Sequence, residues 1–291
     1  MRPELIDASA ISKPLATALV ALAVFFGIYG VAVRTQVGQH ADEAALVGGR
    51  SAPQRAQSGA SRLLRFVSVG SLVAAVLALG ALAWLWRRPW LIALPAAIVG
   101  ISLLATEAFK LVIFQRPDLW PSTISGNTYP SGHTTIATSL GLSAVLIAPT
   151  RWRGWVALAA AAFAGGVGIL VVTADWHRPS DPLGSYALCL AIASSLVAAL
   201  QRWGQRELGA GRVEGRAPPS ATVLARRLEA TAIATGALLF VGAVLLGALR
   251  YGPDVAWNKP HAAFLGAVVA ILIAAGITVA AMLRTLLEPA P

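Results

Sequence analysis

Long uncharged apolar intervals recur along the chain, each bounded by basic or acidic residues. They run from Pro14 to Val33, Phe66 to Trp86, Pro89 to Thr106, about Thr134 to Thr150, Gly154 to Ala174, Pro182 to Gln201, Ala230 to Leu249 and Ala262 to Leu283. A bilayer crossing takes about 20 apolar residues, so the pattern predicts an all-α integral membrane protein with about eight transmembrane helices. The first interval is longer than the apolar stretch of a secretory signal, which predicts a retained helix. Arg202 to Arg227 carries Gly209, Gly211, Gly215, Pro218 and Pro219 among its arginines and reads as a linker. The expected organisation is a six-helix core over residues 1–201, a cytoplasmic basic linker over 202–229, and a C-terminal two-span hairpin over 230–291. Between the first two spans, Arg34 to Arg65 is rich in Gly, Ala, Gln and Ser, with Asp42 and Glu43 as its acids. A short surface helix and disorder are both open for it.

Composition agrees with the pattern. Hydrophobic residues make up 57% of the 291 positions, charged ones 12%, and the mean hydropathy is +0.70, which excludes an ordinary soluble domain. The net charge of +10 would suit nucleic acid if the cations lay on one soluble face. They punctuate the spans instead, so the expected partner is the lipid bilayer and not nucleic acid. With both termini in the cytoplasm, 13 of the 23 Lys and Arg fall inside and 10 outside, an orientation the positive-inside rule favours. Cys189 is the single cysteine; lying in an apolar run, it reads as a small buried hydrophobe.

In that orientation three polar clusters crowd against span ends on the outer side: Glu107, Lys110, Arg116, Pro117 and Asp118; Ser131, Gly132 and His133; and Asp175, His177, Arg178 and Asp181. Each has a plain explanation as snorkelling cations, caps or interfacial residues, and Glu107 with Lys110 suits an i, i+3 pair. Ionisable residues near membrane depth are nonetheless functional candidates, and three clusters converge here. Together they suit phosphoryl transfer. Cations and the N–H groups at a helix start hold phosphate oxygens, and Ser131 is placed to cap that helix while Gly132 admits a close approach. His177 and Asp181, four apart, let a carboxylate hold one ring nitrogen of a nucleophilic histidine if the sixth helix begins near Arg178. His133 is left as the acid that protonates the leaving oxygen.

These residues resemble the type 2 phosphatidic acid phosphatase superfamily of integral membrane lipid phosphatases over roughly Lys110 to Asp181. The family's middle motif, Pro-Ser-Gly-His, is complete as Pro130 to His133, and His177 with Asp181 match the end of its last motif. Two positions depart from the pattern. Lys110 and Arg116-Pro117 are one residue closer than the family's spacing, and the arginine expected six positions before His177 is Val171. Arg178 is the nearest candidate to replace that guanidinium. The resemblance implies a helical bundle with its site at the outer interface and metal-independent hydrolysis through a phosphohistidine, with no cofactor. It implies His177 as nucleophile, Asp181 as its orienter, His133 as general acid, and Lys110, Arg116, Ser131 and Gly132 as the phosphate cradle.

The implied substrate is a lipid phosphate: a polyprenyl pyrophosphate or phosphate, phosphatidic acid or phosphatidylglycerol phosphate. The Ala-rich, Arg-over-Lys composition suits a GC-rich bacterium and hence an enzyme of the cytoplasmic membrane acting on a carrier of cell-envelope synthesis. Phosphotransfer to an acceptor other than water is the nearest alternative, and a non-catalytic lipid-phosphate binding or transport protein is the alternative outside enzymes. The family's motifs also resemble those of vanadium haloperoxidases, an activity that the number of spans disfavours. The outer loop of the last hairpin, with Asp254, Trp257, Asn258, Lys259 and His261, reads first as interfacial, with substrate screening or a subunit contact as the alternative.

Overall fold

The computed structural model of the chain describes residues 8–208 and 260–287, and among them every regular element is helical. The expected seventh span, most of the linker, and Asp254, Trp257, Asn258 and Lys259 lie outside the described residues. Helix α1 (Ala8–Ile28) continues into a π-helical turn, Tyr29–Val33, and is followed by α2 (Gln36–Arg50), α3 (Gln54–Arg65) and α4 (Val69–Leu85). Next come α5 (Leu94–Ala108), with its own π-helical turn Phe109–Ile113, then α6 (Gly132–Ile147), α7 (Thr150–Thr173), α8 (Ser180–Leu208) and α9 (Pro260–Leu287). Five helices are long and apolar enough to cross a bilayer, and a sixth crossing is made if α3 and α4, bent by 62° to one another, count as one. That is the count among the described residues, against about eight expected. The fourth apolar interval folds as α6, which at 16 residues spans about 24 Å, short of a full hydrocarbon core.

Local chemistry sets the boundaries. Thr35 caps α2 by accepting from Gly38 N at 3.0 Å, and Ser68 with Ser71 forms a reciprocal capping box on α4. Pro149 divides α6 from α7. The segment left open between helix and disorder holds two helices, α2 and α3. Helix α8 begins at Ser180, two residues later than expected, and runs past the boundary drawn at residue 201.

Helix α6 sits at the centre, packed against α5, α7 and α8. Its buried side is small and polar in the first half and apolar towards the end, and Thr138 and Ser143 return their hydroxyls to the carbonyls four residues back, each at 2.7 Å. Small residues allow close helix approach in lipid, and bonded hydroxyls leave no unmet polar group there. The last helix also belongs to the core. Ile271 and Ala275 of α9 pack with Val167, Val171 and Tyr186, while Val279, Met282 and Leu283 join Leu142 and Cys189.

The bundle has two distinct ends. At one, Arg88 and Arg153 donate to the carbonyl of Ala148 at the end of α6, and Trp84, Trp90, Trp152, Trp155 and Trp203 are all exposed. Tryptophan in this position suits a headgroup layer, and the cations suit a helix C-terminus. At the other end lie the starts of α6 and α8, the C-terminus of α7 and the exit of α5. There Tyr129 lies directly over Gly184 of α8, so close that a Cβ would collide with the ring, and its hydroxyl donates to Phe25 O at 2.6 Å. Gly184→Ala is therefore expected to lower stability by about 1–3 kcal/mol through overpacking, read as a fall in the thermal unfolding midpoint in detergent.

Candidate active site

The starts of α6 and α8 are bound to each other. Ser131 N donates to Asp181 O at 3.2 Å, and the hydroxyl of Ser185 donates to both Ser131 O (2.8 Å) and Asp181 O (3.0 Å). Ser131 caps α6, its Oγ accepting from Thr134 N at 3.4 Å, while Thr135 N returns to Ser131 O at 2.9 Å. Gly132 and His133 hold the first positions of the helix, where backbone N–H groups have no intrahelical acceptor. The ammonium of Lys110 lies 3.8 Å from where a Cβ of Gly132 would stand, which places it beside the start of α6, and it pairs with Glu107 at 2.8 Å.

His177 precedes α8 instead of lying within it. After α7 ends, Asp175 turns the chain with φ +63°, and both Trp176 N (3.0 Å) and His177 N (3.2 Å) donate to the carbonyl of Val171. Val171 itself is fully buried among apolar neighbours. The chain then curls so that Asp181 Oδ2 faces back, 3.0 Å from His177 Nδ1, while accepting the N–H of Arg178 at 3.0 Å. Asp181 is completely buried and the imidazole is 12% exposed. A carboxylate at Nδ1 favours the tautomer that carries its proton on that nitrogen. His133 packs against Trp176, ring centroids 5.3 Å apart, near enough to His177 and Lys110 to feel their charge.

The other expected residues divide into two uses. Arg116 is buried, yet both of its terminal nitrogens lack a hydrogen-bond partner; its closest carboxylate is Asp42, 3.8 Å from Nη1. A buried guanidinium with unspent donors is suited to an anion. The Arg178 fork is already occupied. Its terminal nitrogens donate to Thr128 Oγ1 (3.0 Å), Ser122 Oγ (2.6 Å), and the carbonyls of Gly126 and Ile124, holding the loop between α5 and α6. The one-residue difference between Lys110 and Arg116 falls where the π-helical turn gives way to extended Phe114. Spacing there depends on where the helix ends and not on a helical phase.

The residues missed in the sequence come from α2. Gln39 donates to Val33 O (2.8 Å) and Pro117 O (2.6 Å) and accepts from the N–H groups of Leu119 and Trp120. Glu43 receives Ser122 Oγ at 2.7 Å and both the N–H and hydroxyl of Thr123; burial opposes it, but these hydrogen bonds hold its carboxyl below the usual range. Arg50 clasps Asp175 through Nε to Oδ1 (2.9 Å) and Nη2 to Oδ2 (2.8 Å), fixing the turn that leads to His177. Asp42 takes Ser180 N (3.0 Å) and Ser180 Oγ (2.5 Å). Positions 39, 42, 43, 46 and 50 repeat at helical spacing, the signal by which this face was legible.

A histidine oriented by a buried carboxylate and a second histidine thus stand at paired helix starts, with a buried, unpartnered guanidinium in the loop after α5. Residues 90–205 match the PAP2 superfamily model. The matched segment takes in α5 to most of α8 with both histidines, Asp181, Lys110, Arg116 and the Ser131-Gly132 pair; α2 lies outside it. The fold is similar to the crystal structure of a transmembrane PAP2 type phosphatidylglycerolphosphate phosphatase from Bacillus subtilis. That likeness has 24% sequence identity and a TM-score of 0.52, and covers 67% of this chain and 98% of that one. No curated protein matches the chain.

Arg178→Ala is expected to leave several acceptors of the loop between α5 and α6 unmet and to lower stability by about 3–5 kcal/mol. A fall in the thermal midpoint bears this out, whereas a purely substrate-binding arginine would raise KM and leave the midpoint where it is.

Proposed function

We propose that the chain is a membrane lipid phosphatase that hydrolyses a phosphate or pyrophosphate ester of a lipid through a phosphohistidine at the extracytoplasmic face. The observation that carries the reading is the His177–Asp181 pair at 3.0 Å, standing at the start of α8 against the start of α6 with its Gly132-His133. In the first step Nε2 of His177 attacks phosphorus, the bond from phosphorus to the lipid-side oxygen breaks, and His133 gives that oxygen its proton. In the second, His133 takes a proton from water as the water oxygen attacks phosphorus. Phosphate leaves and His177 is restored. Asp181 steadies the imidazolium character that His177 gains as the P–N bond forms.

Lys110, Arg116 and the first-turn N–H groups of α6 supply positive potential for the phosphoryl oxygens, whose charge grows towards the transition state. This arrangement needs no metal ion to offset that charge. Lipid as the substrate class is supported by apolar side chains exposed around the site: Leu63, Phe66 and Val69 beside the α3–α4 bend, and Leu111, Val112 and Ile113 directly after Lys110. A headgroup can meet the cations while its chains remain in the bilayer. The opposite end carries Arg87, Arg88, Arg151, Arg153 and Arg202, which favours that end as cytoplasmic.

Purified protein in detergent is expected to release phosphate from at least one of polyprenyl pyrophosphate, polyprenyl phosphate, phosphatidic acid and phosphatidylglycerol phosphate, with chelator present. His177→Ala is expected to lose that activity by a factor of about 10³ or more. A folded wild-type protein inactive on the whole panel, or activity that survives in His177→Ala, would defeat the proposal.

A further inference from the structure

Asp42 is a buried carboxylate that the proposed hydrolysis does not use. It lies on α2, outside the matched segment, and is 6% exposed. Its Oδ1 accepts the N–H of Ser180 and its Oδ2 stands 2.5 Å from the Ser180 hydroxyl. Arg116 approaches Oδ2 at 3.8 Å without a hydrogen bond, so this ion pair is made by charge alone and leaves both terminal nitrogens open. The groups that face Asp42 are Arg116 from the loop after α5 and Asp181 from α8; Arg178 precedes α8, and His177 stands behind Asp181. Along α2 itself lie Glu43 and Arg50, the latter paired with Asp175, and α9, packed on α2, contributes His261 and Arg284 near its ends.

Into this setting a phosphate brings further negative charge. An anion on the free nitrogens of Arg116 would stand near two carboxylates, Asp42 and Asp181, of which Asp181 is committed to His177. We infer that Asp42 competes with the substrate's phosphate for Arg116, so that an anion enters the cradle together with one proton, drawn from solvent, that ends on the Asp42 carboxyl. This rests on the reading of Arg116 as a phosphate ligand. The local hydrogen bonds accept both states of Asp42. Ser180 N–H donates to Oδ1 in either, and the Ser180 hydroxyl, a donor to the carboxylate, becomes the acceptor of the carboxylic O–H.

The proton is available near neutrality. Burial first, and then the Asp181 charge, push the Asp42 carboxyl up to about 7, against the hydrogen bonds from Ser180 and the charge of Arg116. A ligand that engages Arg116 removes part of that opposition and raises Asp42 further. Anion affinity is accordingly full where Asp42 is already protonated, below about pH 7, and falls as pH rises and the free protein loses that proton.

Sulfate is the probe, because its charge does not change between pH 6 and 8. Its binding to the full chain in detergent is read by tryptophan fluorescence, since Trp176 packs on His133 and Trp120 on His40. The ratio of Kd at pH 8 to Kd at pH 6 is expected to be about tenfold smaller in Asp42→Asn than in wild type, with the variant binding more tightly at pH 8. Ser180→Ala removes a hydrogen bond that lowers Asp42, so the midpoint of the pH dependence moves up. Equal ratios in wild type and Asp42→Asn overturn the inference; should Asp42→Asn not fold, an unmoved midpoint in Ser180→Ala does so. Sulfate binding that is the same in Arg116→Ala overturns it as well. Proton-linked sulfate binding by a protein that hydrolyses no lipid phosphate supports this inference while defeating the phosphatase reading alone.

Discussion

Asp181 is the residue on which the candidate-site end of the bundle depends. Its side chain takes the Nδ1 of His177 and the N–H of Arg178, and its main-chain oxygen takes Ser131 N and the Ser185 hydroxyl. One buried residue thereby orients the histidine before α8 and ties the start of α6 to the start of α8. Without solvent to satisfy them, these groups have few alternatives, and a local carboxylate that meets several at once fixes the geometry. Gly132 and His133 then hold the open first positions of α6 beside Lys110, whereas the N–H groups that open α8 are spent on Asp42 and on the carbonyl of Arg178.

Much of this was legible in the chain. Uncharged intervals located the helices because lipid demands continuous apolar runs, and the i, i+4 spacing of His177 and Asp181 gave their contact even though the turn precedes the helix. Glu107 and Lys110 pair as their spacing suggested, and Cys189 is fully buried. What escaped is α2. Its polar positions repeat at helical spacing, but its mean composition is that of a loop and its partners lie 70 to 140 positions away, so the local pattern could show a helix face without showing what it holds. Val171 and Arg178 show the same limit. One is a buried core residue whose carbonyl shapes the turn to His177, and the other spends its guanidinium on the loop between α5 and α6.

The segment from residue 90 to 205 carries the proposed chemistry, and α2 and α9 brace it from outside. Gln39 and Glu43 hold the loop from Pro117 to Thr123, Arg50 holds the turn at Asp175, and Asp42 holds the first residue of α8. α9 packs along α2 and α7 and closes the apolar side of that brace. A covering helix with four polar anchors makes the site's geometry a property of the whole bundle, and it gives Arg116 a counter-charge from outside the segment that contains it.

The most direct test of the account is the covalent state of His177 during turnover. Protein mixed with a lipid phosphate, denatured rapidly in alkali and digested should yield a peptide containing residue 177 heavier by one phosphoryl group, stable in base and lost in mild acid, as expected of a phosphoramidate. Hydrolysis of the lipid with no phosphoryl group on His177 at any time in the turnover, or with the group on another residue, would contradict it.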